Sequence, residues 1–118
     1  MLAKIITLMI AVQHVYILYL EMFAWDKPLG RKIFRTTKEF AVESAALAKN
    51  QGLYNGFLAA GLFWSLTVPD PAMAVALQKF FLGCVAVAGV YGGLTAARNI
   101  LFVQGLPAIV GLIVVSLL

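Results

Sequence analysis

Four apolar runs dominate the sequence, and each is about as long as a bilayer is thick. They cover residues 5–25, 45–68, 78–97 and 100–118. A helix rises about 1.5 Å per residue, so roughly 20 residues cross a hydrocarbon core of about 30 Å. Inside that core a segment must satisfy its own backbone hydrogen bonds, which leaves the α-helix as the form for such runs. Hydrophobic residues make up 63% of the 118, well above the roughly half found in soluble domains. A soluble fold could not hide that much apolar surface. Short links between the runs predict one domain, 1–118, that is all-α: an integral membrane antiparallel four-helix bundle.

The first run has Lys4 near its start, as a signal peptide would. It is nevertheless long, carries His14 and Glu21, and reaches Trp25-Asp26 without a small-residue cleavage site. It reads as a retained span. Tyr16, Tyr19, Phe23 and Trp25 gather toward its end, as expected near a headgroup boundary. Lys27-Pro28-Leu29-Gly30 predicts a turn. Thr36 with Glu39 has capping-box spacing, predicting a helix that starts there and runs into the second span. Pro69-Asp70-Pro71 ends that span, because proline cannot continue a helix and restricts its predecessor. A tight connection at Arg98-Asn99 joins the last two spans. Pro107, which lacks an N–H for the carbonyl of Val103, predicts a kink in the fourth.

Placement of charge gives orientation. Of a formal net charge of +4, the basic residues Lys27, Arg31, Lys32, Arg35 and Lys38 fall between the first two spans, Lys49 at the start of the second, and Arg98 between the last two. The positive-inside rule makes this a multi-pass cell-membrane protein with the basic loop 26–44 cytoplasmic and both termini outside. The loop also suits contact with anionic lipid. Nothing here resembles an aromatic-interleaved basic stripe or zinc-finger spacing, so nucleic acid is not an expected partner. Cys84 is the single cysteine and cannot form an internal disulfide. One histidine without a cysteine pair gives no metal site. The glycines lie within spans rather than in a phosphate-cradling loop, and no serine stands in a nucleophile elbow.

Small residues mark where helices approach. Gly52, Gly56 and Ala60 recur every four residues, and the third span carries Cys84-Ala88-Gly92-Ala96 and Gly89-Gly93-Ala97. Such ridges let backbones come close, which is how apolar helices associate in lipid. They predict contact between spans two and three, or with a second copy of the chain in a homo-oligomer.

Polar residues are unevenly distributed. Glu21 and His14 share a face of span one, seven residues apart. Asn50, Gln51, Tyr54 and Asn55 open span two. Tyr91, Thr95 and Arg98 have helical spacing at the end of span three, and Gln104 is near the start of span four. All these positions fall in the cytoplasmic half, and the outer half has almost none. Polar groups are costly against lipid, so they predict an inward-facing polar pocket lined by His14, Glu21, Asn50, Gln51, Tyr54, Asn55, Tyr91, Arg98 and Gln104. Each also has a plain reading: Glu21 pairs with Lys49 or Arg98, His14 makes one interhelical hydrogen bond, and the amides act as glue.

Three stretches carry a family likeness. His14-Val15-Tyr16-Ile17 through Leu20-Glu21-Met22-Phe23 with Trp25, then Asn50-Gln51-Gly52-Leu53-Tyr54-Asn55-Gly56, and Gly89-Val90-Tyr91-Gly92 with Arg98 and Phe102-Val103-Gln104 closely resemble domain-of-unknown-function family 1304. The resemblance spans nearly the whole chain and implies a small bacterial four-span membrane protein with no established activity. The chain is also similar in architecture to the MAPEG group of membrane glutathione transferases and eicosanoid enzymes. Asn50 and Asn55 stand where that group places amide and acidic residues, and Arg98 near Tyr91 matches its basic residue beside tyrosine. That likeness implies a trimer and glutathione as a thiol cofactor. The sequence departs from the group in having no acidic residue between Asn50 and Leu62.

Three functions follow as expectations. The first is binding or transport of a small amphiphilic or polar ligand in the cytoplasm-facing pocket. The second is a MAPEG-like enzyme in which Tyr91 and Arg98 stabilise a thiolate. The third is a structural or assembly partner in the bilayer. No residue identifies a reaction or a resident cofactor.

Overall fold

The structure is a computed structural model that describes residues 1–117. It is built from helices: α1 (Leu2–Phe23), α2 (Pro28–Phe34), α3 (Lys38–Glu43), α4 (Ala45–Thr67), α5 (Pro71–Thr95), α6 (Arg98–Ile100), a π-helical segment (Leu101–Gly105) and α7 (Leu106–Leu117). Among the described residues, three helices are long and apolar enough to cross a membrane: α1, α5 and the continuous stretch Arg98–Leu117. α4 is 23 residues long but is not one of them. Lys49, Asn50, Gln51 and Asn55 dilute the apolar character of its first half.

Several boundaries follow from local chemistry. Pro28 opens α2 rather than a turn, since proline at the first helical position gives up an N–H that has no intrahelical acceptor. α3 is capped by Thr37, not Thr36: the Thr37 hydroxyl accepts from the Phe40 N–H at 3.2 Å, which moves the predicted start by one residue. α3 and α4 meet at Ser44, whose hydroxyl donates to the Phe40 carbonyl at 2.6 Å. Asp70 caps α5 by accepting from the Ala72 N–H at 3.1 Å, with Pro71 at the first helical position. α5 therefore begins seven residues before the predicted span. In the last helix the Leu106 N–H bonds to the Leu101 carbonyl, five residues back. This π segment ends two residues before Pro107, where the sequence predicts a kink.

Contacts group the chain into two compact units: residues 1–11 with 60–118, and residues 12–59. In the first, α5 packs along the last helix, with Leu62, Leu82, Val85 and Ala108 fully buried. Gly89 lies directly against Gly105; a Cβ on Gly89 would overlap the Gly105 backbone N and Cα. Gly93 is similarly covered by Leu101, and Gly61 by the Phe81 ring. In the second unit, Gly52 and Gly56 receive α1. A Cβ on Gly52 would lie 2.6 Å from Met22 Cγ, and one on Gly56 2.6 Å from Leu18 Cδ1. The ridges do mediate close approach, but with partners other than those expected. The span-two ridge meets α1, and Gly89 and Gly93 meet the last helix. α4 and α5 touch instead at Gly61 and Phe81.

Candidate functional site

The 12–59 unit brings two predicted site residues together. Asn55 Nδ2 donates to Glu21 Oε1 at 2.6 Å. Glu21 is 7% exposed, and its turn of α1 packs against Gly52. Absence of a side chain at Gly52 and Gly56 is what brings α4 close enough for a short amide to reach a carboxyl on α1. His14, two turns earlier on α1, is 1% exposed. The carboxyl and carboxamide thus share one part-buried hydrogen bond, leaving acceptor oxygens on both groups for a ligand that offers donors.

The other predicted members are divided between the two units. Asn50, Gln51 and Tyr54 lie in the same unit and are exposed. Tyr54 packs edge-on against Phe57. Tyr91, Arg98 and Gln104 belong to the other unit. Tyr91 is 68% exposed, Arg98 is exposed and Gln104 half-buried.

Around this site the basic loop is held to the end of α1. Trp25 Nε1 donates to Ser44 Oγ at 3.0 Å, and its ring lies 4.8 Å from that of Phe34. Gly30 is buried against the Ala24 carbonyl and the Trp25 Cα, where no Cβ would fit. Tyr16, Tyr19 and Phe23 form an exposed aromatic ladder along α1, with ring centroids 6.4 and 6.5 Å apart.

Polar side chains are buried in the other unit as well. Thr7, Ser65 and Gln78 are each no more than 3% exposed, near the start of α1, the end of α4 and the start of α5. Thr7 and Ser65 satisfy their hydroxyls on local carbonyls, of Ala3 at 2.8 Å and Leu62 at 2.5 Å. In sequence they look like ordinary helical serine and threonine. Gln78 was the legible signal, a lone amide in an apolar run. Met1, Lys4, Ser65, Leu66, Val75 and Gln78 are among the residues lining a cleft of about 300 Å³ there.

These features define an all-helical protein with three helices able to cross a membrane by length and composition. The chain belongs to the family described as protein of unknown function (DUF1304), whose profile matches residues 8–116. It is similar to the uncharacterized protein YpaA of Lactococcus lactis subsp. lactis, 32% identical over 111 residues that cover 92% of each chain. No solved structure matches it.

Proposed function

We propose that this is a four-span protein of the cell membrane that binds a small amphiphilic or polar ligand through Glu21 and Asn55, in the half of the bilayer next to the basic loop. α1, α4, α5 and Arg98–Leu117 are the four spans, antiparallel, with the loop cytoplasmic and both termini outside. The observation that carries the reading is the hydrogen bond between the buried Glu21 and the half-buried Asn55. Burying a carboxyl and a carboxamide at lipid depth is expensive, and an aliphatic pair would join the two helices without that cost. Because carboxyl and carboxamide oxygens accept, the ligand head should be a donor, such as an ammonium or a hydroxyl. His14 adds a second polar group on α1.

The same hydrogen bond also favours a second reading, an interhelical lock that fixes the register of α1 on α4 for an assembly role. The two separate in thermal melts of the purified protein with hexylammonium and monoacylglycerol as probes. Ligand binding predicts a probe-dependent rise in Tm that Glu21→Gln and Asn55→Leu each abolish. A lock predicts no shift with any probe, and a change of oligomeric state on Asn55→Leu.

A further inference from the structure

The cleft at the opposite end of α1 is built from different residues and has different chemistry. Its walls come from the first turn of α1, the end of α4 with Pro69, the first two turns of α5, and Val115 of α7, all within the 1–11 and 60–118 unit. Gln78 is 3% exposed, lines the cleft and has no hydrogen-bond partner among the described residues. With no protein partner, its carboxamide is open to a partner inside the cleft, water or a ligand. Ser65, also lining the cleft, has given its proton to the Leu62 carbonyl and can only accept there. Lys4, an exposed residue on the α1 wall, supplies the charge. The acid nearest in sequence to these walls, Asp70, is engaged with the Ala72 N–H and is not among the lining residues. The remaining surface, from Leu66, Val75 and Val115, is apolar.

We propose that this cleft binds a small anionic amphiphile with a carboxylate head, the head received by the Lys4 ammonium and the Gln78 carboxamide and the alkyl tail by the aliphatic wall. One cation and one amide donor suit a monoanion whose two oxygens lie in a plane. A volume of about 300 Å³ is at the lower end of ligand pockets. At about 30 Å³ per water-sized group it holds on the order of ten non-hydrogen atoms, the size of octanoate. The first turn of α5 adds the positive end of a helix dipole beside the same space.

The test uses the full chain in phosphatidylcholine nanodiscs, titrated calorimetrically with sodium octanoate after subtraction of empty discs. Octanoate is expected to saturate a single site. Gln78→Leu, which replaces the amide with an apolar group of similar size, and Lys4→Gln, on an exposed residue, should each weaken binding at least tenfold. Octan-1-ol, lacking the carboxylate, should show no saturable binding, and Glu21→Gln should bind octanoate like the wild type. This last arm keeps the result independent of the site at Glu21 and Asn55. No saturation in the wild type would overturn the proposal. So would wild-type affinity in both cleft variants, or octan-1-ol binding as tightly as octanoate.

Discussion

Arg35 is the non-glycine residue with positive φ among those described, at 56°. It terminates α2, its own N–H and that of Thr36 both reaching the Arg31 carbonyl, the arrangement that glycine usually closes because a Cβ in the left-handed region costs about 1 kcal/mol. Arg35→Gly is therefore expected to raise stability by up to about 1 kcal/mol, and Arg35→Val to lower it by more, both read as shifts in Tm. Two residues on, Thr37→Ala should cost about 1 kcal/mol by removing the α3 cap, whereas Thr36→Ala should be nearly neutral. The sequence offered both threonines and a glutamate at capping-box spacing from the first. What it could not show is that Arg35 takes the left-handed turn, which places the extended cap geometry at Thr37. Glu21 and Asn55 were each legible as polar residues in apolar helices. Their pairing was not, because it depends on which face of α4 meets α1.

At the scale of helices, small-residue spacing revealed that backbones come close without revealing to what. A four-residue repeat marks a smooth face, and any helix can use it. The apolar runs, the Pro69-Asp70-Pro71 break and the irregularity before Pro107 were legible because they depend on local chemistry alone. Choice of partner is a tertiary outcome, and so was the burial of Gln78. Gly89 and Gly83, both in α5, show how differently one residue type is used. A Cβ at Gly89 would overlap the Gly105 backbone, whereas one at Gly83 would meet nothing within 4 Å. Gly89→Ala is expected to destabilise by roughly 1–3 kcal/mol through forced separation of the two helices. Gly83→Ala should stabilise by about 0.5–1 kcal/mol, because alanine loses less backbone freedom in a helix. Thermal or denaturant unfolding of the two variants side by side checks both signs.

For the whole molecule, everything about sidedness depends on whether α4 crosses. At about 1.5 Å per residue its 23 residues extend roughly 35 Å, enough for a core of about 30 Å. The difficulty is Asn50 and Gln51, which are exposed. If Thr67 sits at the far boundary, both amides fall within the first turn of the core, where tilt and local thinning bring water to them. Asn55, about a turn deeper, is the one that has a carboxyl partner. A crossing α4 would thus arrange its amides by depth, Asn50 and Gln51 where water reaches and Asn55 with its carboxyl partner where it does not. A crossing α4 puts Lys38 and Ala72, both exposed, on opposite sides of the membrane. In a Cys84→Ala background, a cysteine at Ala72 should react with an impermeant maleimide added outside intact spheroplasts. A cysteine at Lys38 should react only after lysis. Equal reactivity of the two before lysis, or protection of both, would leave three spans, with α4 lying on one side of the bilayer and the Glu21–Asn55 pair serving a surface rather than a membrane interior.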